Sequence, residues 1–156
     1  MADHSLPSPF TVLAFDFGAK RIGLAFGQSL TGTASPAGTI SARDGIPDWD
    51  ELGRIVAHWQ PDALVVGIPL NMDGSISEMA HRARKFANRL HVRYGLPCFL
   101  ADERLTSREA KEIHRARGGS SHYRSDPVDA LAAQLIVESW LTDGLLIPSH
   151  TRLEDL

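Results

Sequence analysis

The sequence predicts one α/β domain, a mixed five-stranded sheet with helices on both faces in the order β-β-β-α-β-α-β-α-α. Three observations carry that expectation. Two strand-like apolar runs, Thr11 to Gly18 and Arg21 to Gly27, are joined through Gly18-Ala19-Lys20, a spacing that suits an antiparallel hairpin. A continuously apolar run, Ala63 to Ile68, reads as a central strand covered on both sides. Around it lie stretches whose apolar residues recur at helical spacing. A chain of 156 residues fits one such domain.

The elements follow in order. After the hairpin, Thr33 to Ser41 is more polar and reads as an edge strand limited by Pro36 and Gly38. Pro47-Asp48 followed by Glu51 marks a helix start; Trp49, Leu52, Val56 and Trp59 continue it and Pro61 ends it. Beyond the Pro69 to Gly74 loop, Ser75 and Glu78 match a capping box, and Ile76, Met79, Ala80, Ala83, Phe86, Ala87 and Leu90 form an apolar stripe. The opposite side of that helix carries Arg82, Arg84, Lys85, Arg89 and Arg93. Pro97 to Ala101 is the next strand, ending at Asp102-Glu103. Thr106 with Glu109 caps a further helix that closes near Gly118-Gly119. The segment Ser120 to Ser125 leads to Asp126-Pro127, an N-cap with proline at the first helical position. The last helix, to about Leu141, is apolar on most sides and so predicted buried.

Composition excludes several classes. Hydrophobic residues make up 43% and charged residues 22%, which argues against disorder and against a coiled coil. No apolar run approaches the roughly 20 residues that span a bilayer, and the first ten residues lack the features of a signal peptide, so a cytoplasmic protein with no membrane partner is expected. The single cysteine, Cys98, excludes an intrachain disulfide framework and fits a reducing compartment. The formal charge of −3 opposes a nucleic-acid partner until its distribution is seen. Residues 1–78 carry −5 and residues 125–156 carry −5, whereas residues 79–124 carry +7. A basic centre of that size suits a phosphate backbone if it forms one surface.

Several acids stand where acids are costly. Asp16 interrupts an apolar strand; it either caps the turn, pairs with Lys20 or Arg21, or meets a metal. Asp102 and Glu103 end another strand, and alternation sends them to opposite faces, so one of the two can join Asp16. Asp129 falls in the first turn of the last helix, where it either serves the helix dipole or joins the same group. Carboxylates gathered in one place repel unless divalent cations neutralise them, and hard oxygen ligands suit Mg²⁺ or Mn²⁺. Two such ions about 3.5–4 Å apart activate a water and stabilise the leaving oxygen in phosphodiester hydrolysis.

Four motifs, DFGAKRIG at residues 16–23, VGIPLNMDG at 66–74, DERLTS at 102–107 and VDALAA at 128–133, together resemble the YqgF/RuvX-like family, Holliday-junction-resolvase-like nucleases linked to maturation of pre-16S ribosomal RNA. The resemblance covers roughly residues 10–143 and implies an RNase H-like nuclease domain over that range, with residues 1–9 a flexible N-terminus and residues 144–156 a C-terminal tail. It also implies that Asp16, Glu103 and Asp129 are the catalytic, metal-binding acids, and so selects Glu103 over Asp102. The implied cofactor is Mg²⁺ or Mn²⁺, two ions. The implied partner is nucleic acid, with pre-rRNA favoured over branched DNA, on or off ribosomal particles, and the protein a monomer or homodimer. Where the family tends to be rich in Lys and Arg before its last motif, this chain reads His122-Tyr-Arg-Ser-Asp-Pro127.

Further substrate-binding candidates are Arg21 after the hairpin turn, Asn71 and Gly74 in the loop before a helix N-terminus, and Arg104 and Thr106 beside Glu103. Each has a plainer alternative: a salt bridge for Arg21, an ordinary turn for Asn71 and Gly74, a helix cap for Thr106. The basic side of the Ser75 to Tyr94 helix is the main candidate for the phosphate backbone, although such faces are commonly only solvated. The alternatives to an RNA nuclease are a resolvase of branched DNA and a non-catalytic RNA-binding module for ribosome assembly. Asp16-Phe17-Gly18 also spells a kinase motif, but no glycine-rich loop or catalytic-loop signature accompanies it.

Overall fold

The computed structural model describes residues 6–105 and 128–156. The predicted mixed α/β architecture is what it shows. Strands β1 (Thr11–Asp16), β2 (Arg21–Gln28) and β3 (Thr33–Arg43) form an antiparallel meander. They are followed by β4 (Ile46–Pro47), helix α1 (Trp49–Trp59), β5 (Ala63–Ile68), helix α2 (Glu78–Tyr94) and β6 (Cys98–Asp102). A single turn of 3₁₀ helix, Glu103–Leu105, succeeds β6, and helix α3 (Val128–Asp143) and β7 (Ile147–Pro148) close the described chain with a short 3₁₀ turn. The sheet runs β4-β3-β2-β1-β5-β6-β7, with β5 parallel to both β1 and β6. The segment from Thr106 to Pro127, with its expected helix, loop and proline cap, lies outside the described residues.

Apolar alternation sorts the strands onto two cores. Leu13, Phe15, Leu64, Val66 and Leu100 point to one side, where α1 contributes Leu52 and Val56 and α2 contributes Ala83, Phe86 and Leu90. Val12, Ala14, Ala63, Val65 and Phe99 point to the other, covered by Ala133, Ile136, Val137 and Trp140 of α3. All six residues of β5 are buried, as its unbroken apolar run requires of a strand between two helical layers. Helix α3 lies across β1, β2 and β3, which explains why it is apolar nearly all round.

Three local differences from the sequence reading have physical causes. First, β3 runs on past Ser41 to Arg43 and accommodates Pro36 and Gly38 with a bulge: Ala25 pairs with Pro36 and Leu24 with Gly38, so Ala37 is absorbed. Second, among the described residues the sheet has seven strands rather than five, because two two-residue strands extend its edges. β4 arises from an Asp44-Gly45 turn with φ of 51° and 81°, the pair of left-handed residues that a tight hairpin needs. Third, α2 is capped by Ser77, whose hydroxyl accepts from the Ala80 N–H at 3.1 Å, and not by Ser75. Ser75 instead donates its N–H and hydroxyl to the Asp73 carboxylate. Asp48 caps α1 as the sequence predicts, accepting from the N–H groups of Asp50 and Glu51.

The residues after α3 are tied to the body. β7 pairs with β6, Arg84 of α2 donates to the carbonyls of Thr151 and His150, and Leu153 is buried in the α1/α2 core.

Candidate active site

The site grows from the edge of the sheet where β1, β5 and β6 end together. Asp16 is the last residue of β1, two positions beyond Ala14, and alternation therefore turns it toward the α3 side. On β6, Phe99 and Ala101 face α3 and Leu100 faces the other core, so the step from Asp102 to Glu103 brings Glu103 to the side of Asp16. Between them, on β5, lies Gly67. A Cβ placed on Gly67 would stand 3.2 Å from Glu103 Cδ and 2.5 Å from Ile136 Cδ1. The missing side chain is thus the space into which Glu103 and Ile136 pack.

Burial pushes the Glu103 carboxyl up to about 7, and the charges of Asp16 and then Asp102 push in the same direction. Glu103 and Asp16 are therefore electrostatic neighbours. Among the described residues no basic side chain pairs with Glu103. Asp102 meets a different fate: Arg104 grips it with Nε at 3.0 and 3.1 Å and Nη2 at 2.7 Å, and donates its backbone N–H as well. With the Asp102 side chain 8% exposed and Arg104 24%, this two-pronged pair is partly shielded on the carboxylate side and holds the turn that presents Glu103.

The other sequence candidates fall around this edge. Arg21 opens β2 and is exposed. Asn71 donates its side-chain amide to Ser75 Oγ at 2.8 Å, and the Gly74 N–H donates to the Asn71 carbonyl, so the 71–75 loop closes on itself. Because α2 begins at Glu78, this loop is separated from the first helical residue by Ile76 and the cap Ser77. Asp129 lies in the first turn of α3, and its side chain, like all of Thr106, lies outside the described residues. Among the described residues no group of three or more metal-ligating side chains gathers. The two acids that can be placed, Asp16 and Glu103, offer hard oxygen donors whose mutual repulsion a divalent cation such as Mg²⁺ or Mn²⁺ would relieve. Gly67 is the site residue that sequence reasoning passed over. Its signal was there, a glycine inside an otherwise unbroken apolar strand, which marks a close approach.

The basic side of α2 is not beside these acids. It belongs to the layer on the opposite face of the sheet.

Known proteins resemble this chain in sequence and in fold. A family model described as RuvX, Holliday junction resolvase, matches residues 10–143. A protein of Saccharophagus degradans named "Putative pre-16S rRNA nuclease" is 55% identical over 130 residues, covering 83% of this chain and 92% of that one. One of the same name from Chromohalobacter salexigens is 54% identical over 136 residues, covering 87% and 92%. Among solved structures, T. thermophilus RuvC in complex with a Holliday junction substrate superimposes with a TM-score of 0.56 at 14% identity, covering 89% of this chain and 99% of that one. At that identity the likeness speaks for the fold.

Proposed function

Because the chain belongs to the RuvX family, we propose that it is a divalent-metal-dependent endonuclease that hydrolyses phosphodiester bonds of structured RNA, in the maturation of pre-16S ribosomal RNA. The observation that carries the reading is the half-buried carboxylate of Glu103 beside Asp16, with no basic partner for Glu103 among the described residues and its pKa raised to about 7. A carboxyl held in that state favours a cation over solvent.

In this reading Asp16, Glu103 and Asp129 hold Mg²⁺ or Mn²⁺. Two bound ions would supply an activated water and stabilise the leaving oxygen of an in-line displacement. The chain's own residues do the rest. Gly67 gives Glu103 its place, and Arg104 fixes the turn by its grip on Asp102. In the same reading Arg21, exposed at the start of β2, would orient a phosphate, and Asn71, Gly74, Arg104 and Thr106 would serve substrate binding. A precursor of ribosomal RNA as substrate places the protein in the cytoplasm, on free RNA or on assembling ribosomal particles.

Cleavage of a branched DNA junction is the second reading, favoured by the description of the family. Carboxylate ligands do not distinguish the sugar. Purified protein given Mn²⁺ and, in parallel, pre-16S-type RNA and a four-way DNA junction decides between them: the proposal expects RNA cleavage, and cleavage of the junction alone would overturn it.

A further inference from the structure

Lys85, Arg89 and Arg93 recur every four residues on α2 and so form one stripe, about 12 Å long at 1.5 Å per residue. All three are exposed, and among the described residues none forms an ion pair. The neighbouring arginines are already engaged. Arg82 donates to the Asp44 carbonyl at 2.6 Å and its Oδ1 at 2.8 Å, and Arg84 holds the chain at His150 and Thr151. The stripe therefore carries charge that no acid of the described residues neutralises.

It also borders a groove. Two adjoining depressions of about 340 and 730 Å³ share Ile46, Lys85 and Arg89. The floor of the larger depression is mainly apolar, whereas the smaller one is lined mostly by charged groups: Trp49 stacks on the buried Phe86 at 6.0 Å, the Arg93 guanidinium lies 4.4 Å over Trp49, and Ile46 is 50% exposed. The smaller depression ends at Phe17, the residue after Asp16. Gly45 lets that end close down, since a Cβ there would meet Phe17 Cζ at 2.8 Å. The acids nearby are Asp44, which Arg82 occupies, Glu78 at the same end and Asp50 at the start of α1.

Resting on the nuclease reading, we propose that this groove holds a single-stranded flank of the substrate. The strand passes over residues 44–46 from the sheet edge that carries Asp16 and lies along Lys85, Arg89 and Arg93. A positive track with aromatic and apolar surface beneath it accepts a backbone and its unpaired bases together, whereas a duplex hides its bases. The Arg93 guanidinium, which lies over the Trp49 ring, offers its outer side as a platform for a base. A second copy is a poor occupant, because a two-fold contact would set the same cations against one another.

The test uses the full chain in EDTA, which suppresses cleavage, and two fluorescent RNAs with one duplex core, blunt or bearing a tail of about ten unpaired nucleotides. Wild type is expected to bind the tailed RNA at least tenfold more tightly. Lys85→Glu/Arg89→Glu, and more mildly Lys85→Ala/Arg89→Ala, should remove that gain and lower the slope of log K against log salt by about 1.4. Blunt-RNA binding and its Mn²⁺-dependent cleavage should not change. Retention of the gain in the charge-reversal variant overturns the groove alone, as does equal loss on both RNAs. Sedimentation showing a dimer that the variant dissolves, or tight binding of an acidic peptide in place of the tail, would also overturn it. Failure of wild type to bind or cleave either RNA overturns the nuclease reading and the groove with it.

Discussion

The two faces of the sheet treat charge in opposite ways. On the α3 side, at the strand ends, Asp16 and Glu103 are gathered and partly buried, and the Glu103 pKa is raised by its surroundings. On the α1/α2 side, Lys85, Arg89 and Arg93 stand in solvent over an open groove. Burial makes a carboxylate demand a cation, whereas exposure makes an ammonium or guanidinium available to a long polyanion. On the proposed reading the fold would separate a place where a phosphodiester is cut from a place where a backbone is held. Asp16 and Phe17, adjacent in the chain and turned to opposite faces, mark the edge between them.

Loss of charge on the acid side has the largest expected effect. Glu103→Gln keeps the shape of the acid side and removes its charge; single-turnover cleavage should fall about 10³-fold, roughly 4 kcal/mol, with tailed-RNA binding retained. Next comes the pH dependence of the metal-free fold. Because the folded pKa of Glu103, about 7, lies above its usual value of 4.5, its contribution is fully present below 4.5 and is lost as pH rises through 7. Wild type should lose up to about 3 kcal/mol across that window relative to Glu103→Gln. Urea melts of both proteins at pH 4.5 and 7.5 check this, and a parallel fall in the two would contradict it.

A smaller effect is expected at Gly67. Gly67→Ala should cost about 1–3 kcal/mol by overpacking against Ile136. Adding Ile136→Val removes the clashing Cδ1 and should restore stability, while activity stays low because Glu103 remains crowded. Smallest is the cap of α2 on the basic side: Ser77→Ala should cost about 1 kcal/mol in thermal melts, and Ser75→Ala distinctly less.

Much of this was legible in the sequence, for reasons specific to each element. The run ALVVGI has no polar face, so it had to be a strand between two layers. Strand alternation correctly parted Asp102 from Glu103, although only the family resemblance said which one belonged with Asp16. Other features were hidden by distance or by competing turns. Ser75 and Ser77 both offer capping hydroxyls, and Asp73 decides the matter by taking Ser75 into its own turn. The Asp44-Gly45 hairpin was readable as a dipeptide signal but was passed over within a polar stretch.

The side of the sheet on which α2 lies was a different kind of gap. An amphipathic stripe tells which side of a helix meets a core, and not which of two cores it meets. The same limit applies to the arginines of residues 79–124, counted together as basic in sequence. Arg82, Arg84 and Arg104 turn out to be bound to Asp44, to the C-terminal residues and to Asp102. Those partners are either far away along the chain or equally plausible as solvent-exposed acids, so only the fold reveals which cations remain.

The central claim, that the acids at the ends of β1 and β6 form a cation-dependent cutting site, is met most directly by single-turnover cleavage of end-labelled pre-16S-type RNA in Mn²⁺ by wild type and by Asp16→Asn of equal thermal stability. The account predicts cleavage by wild type and a loss of about 10³-fold in the variant. Cleavage by Asp16→Asn within a few-fold of wild type would contradict it.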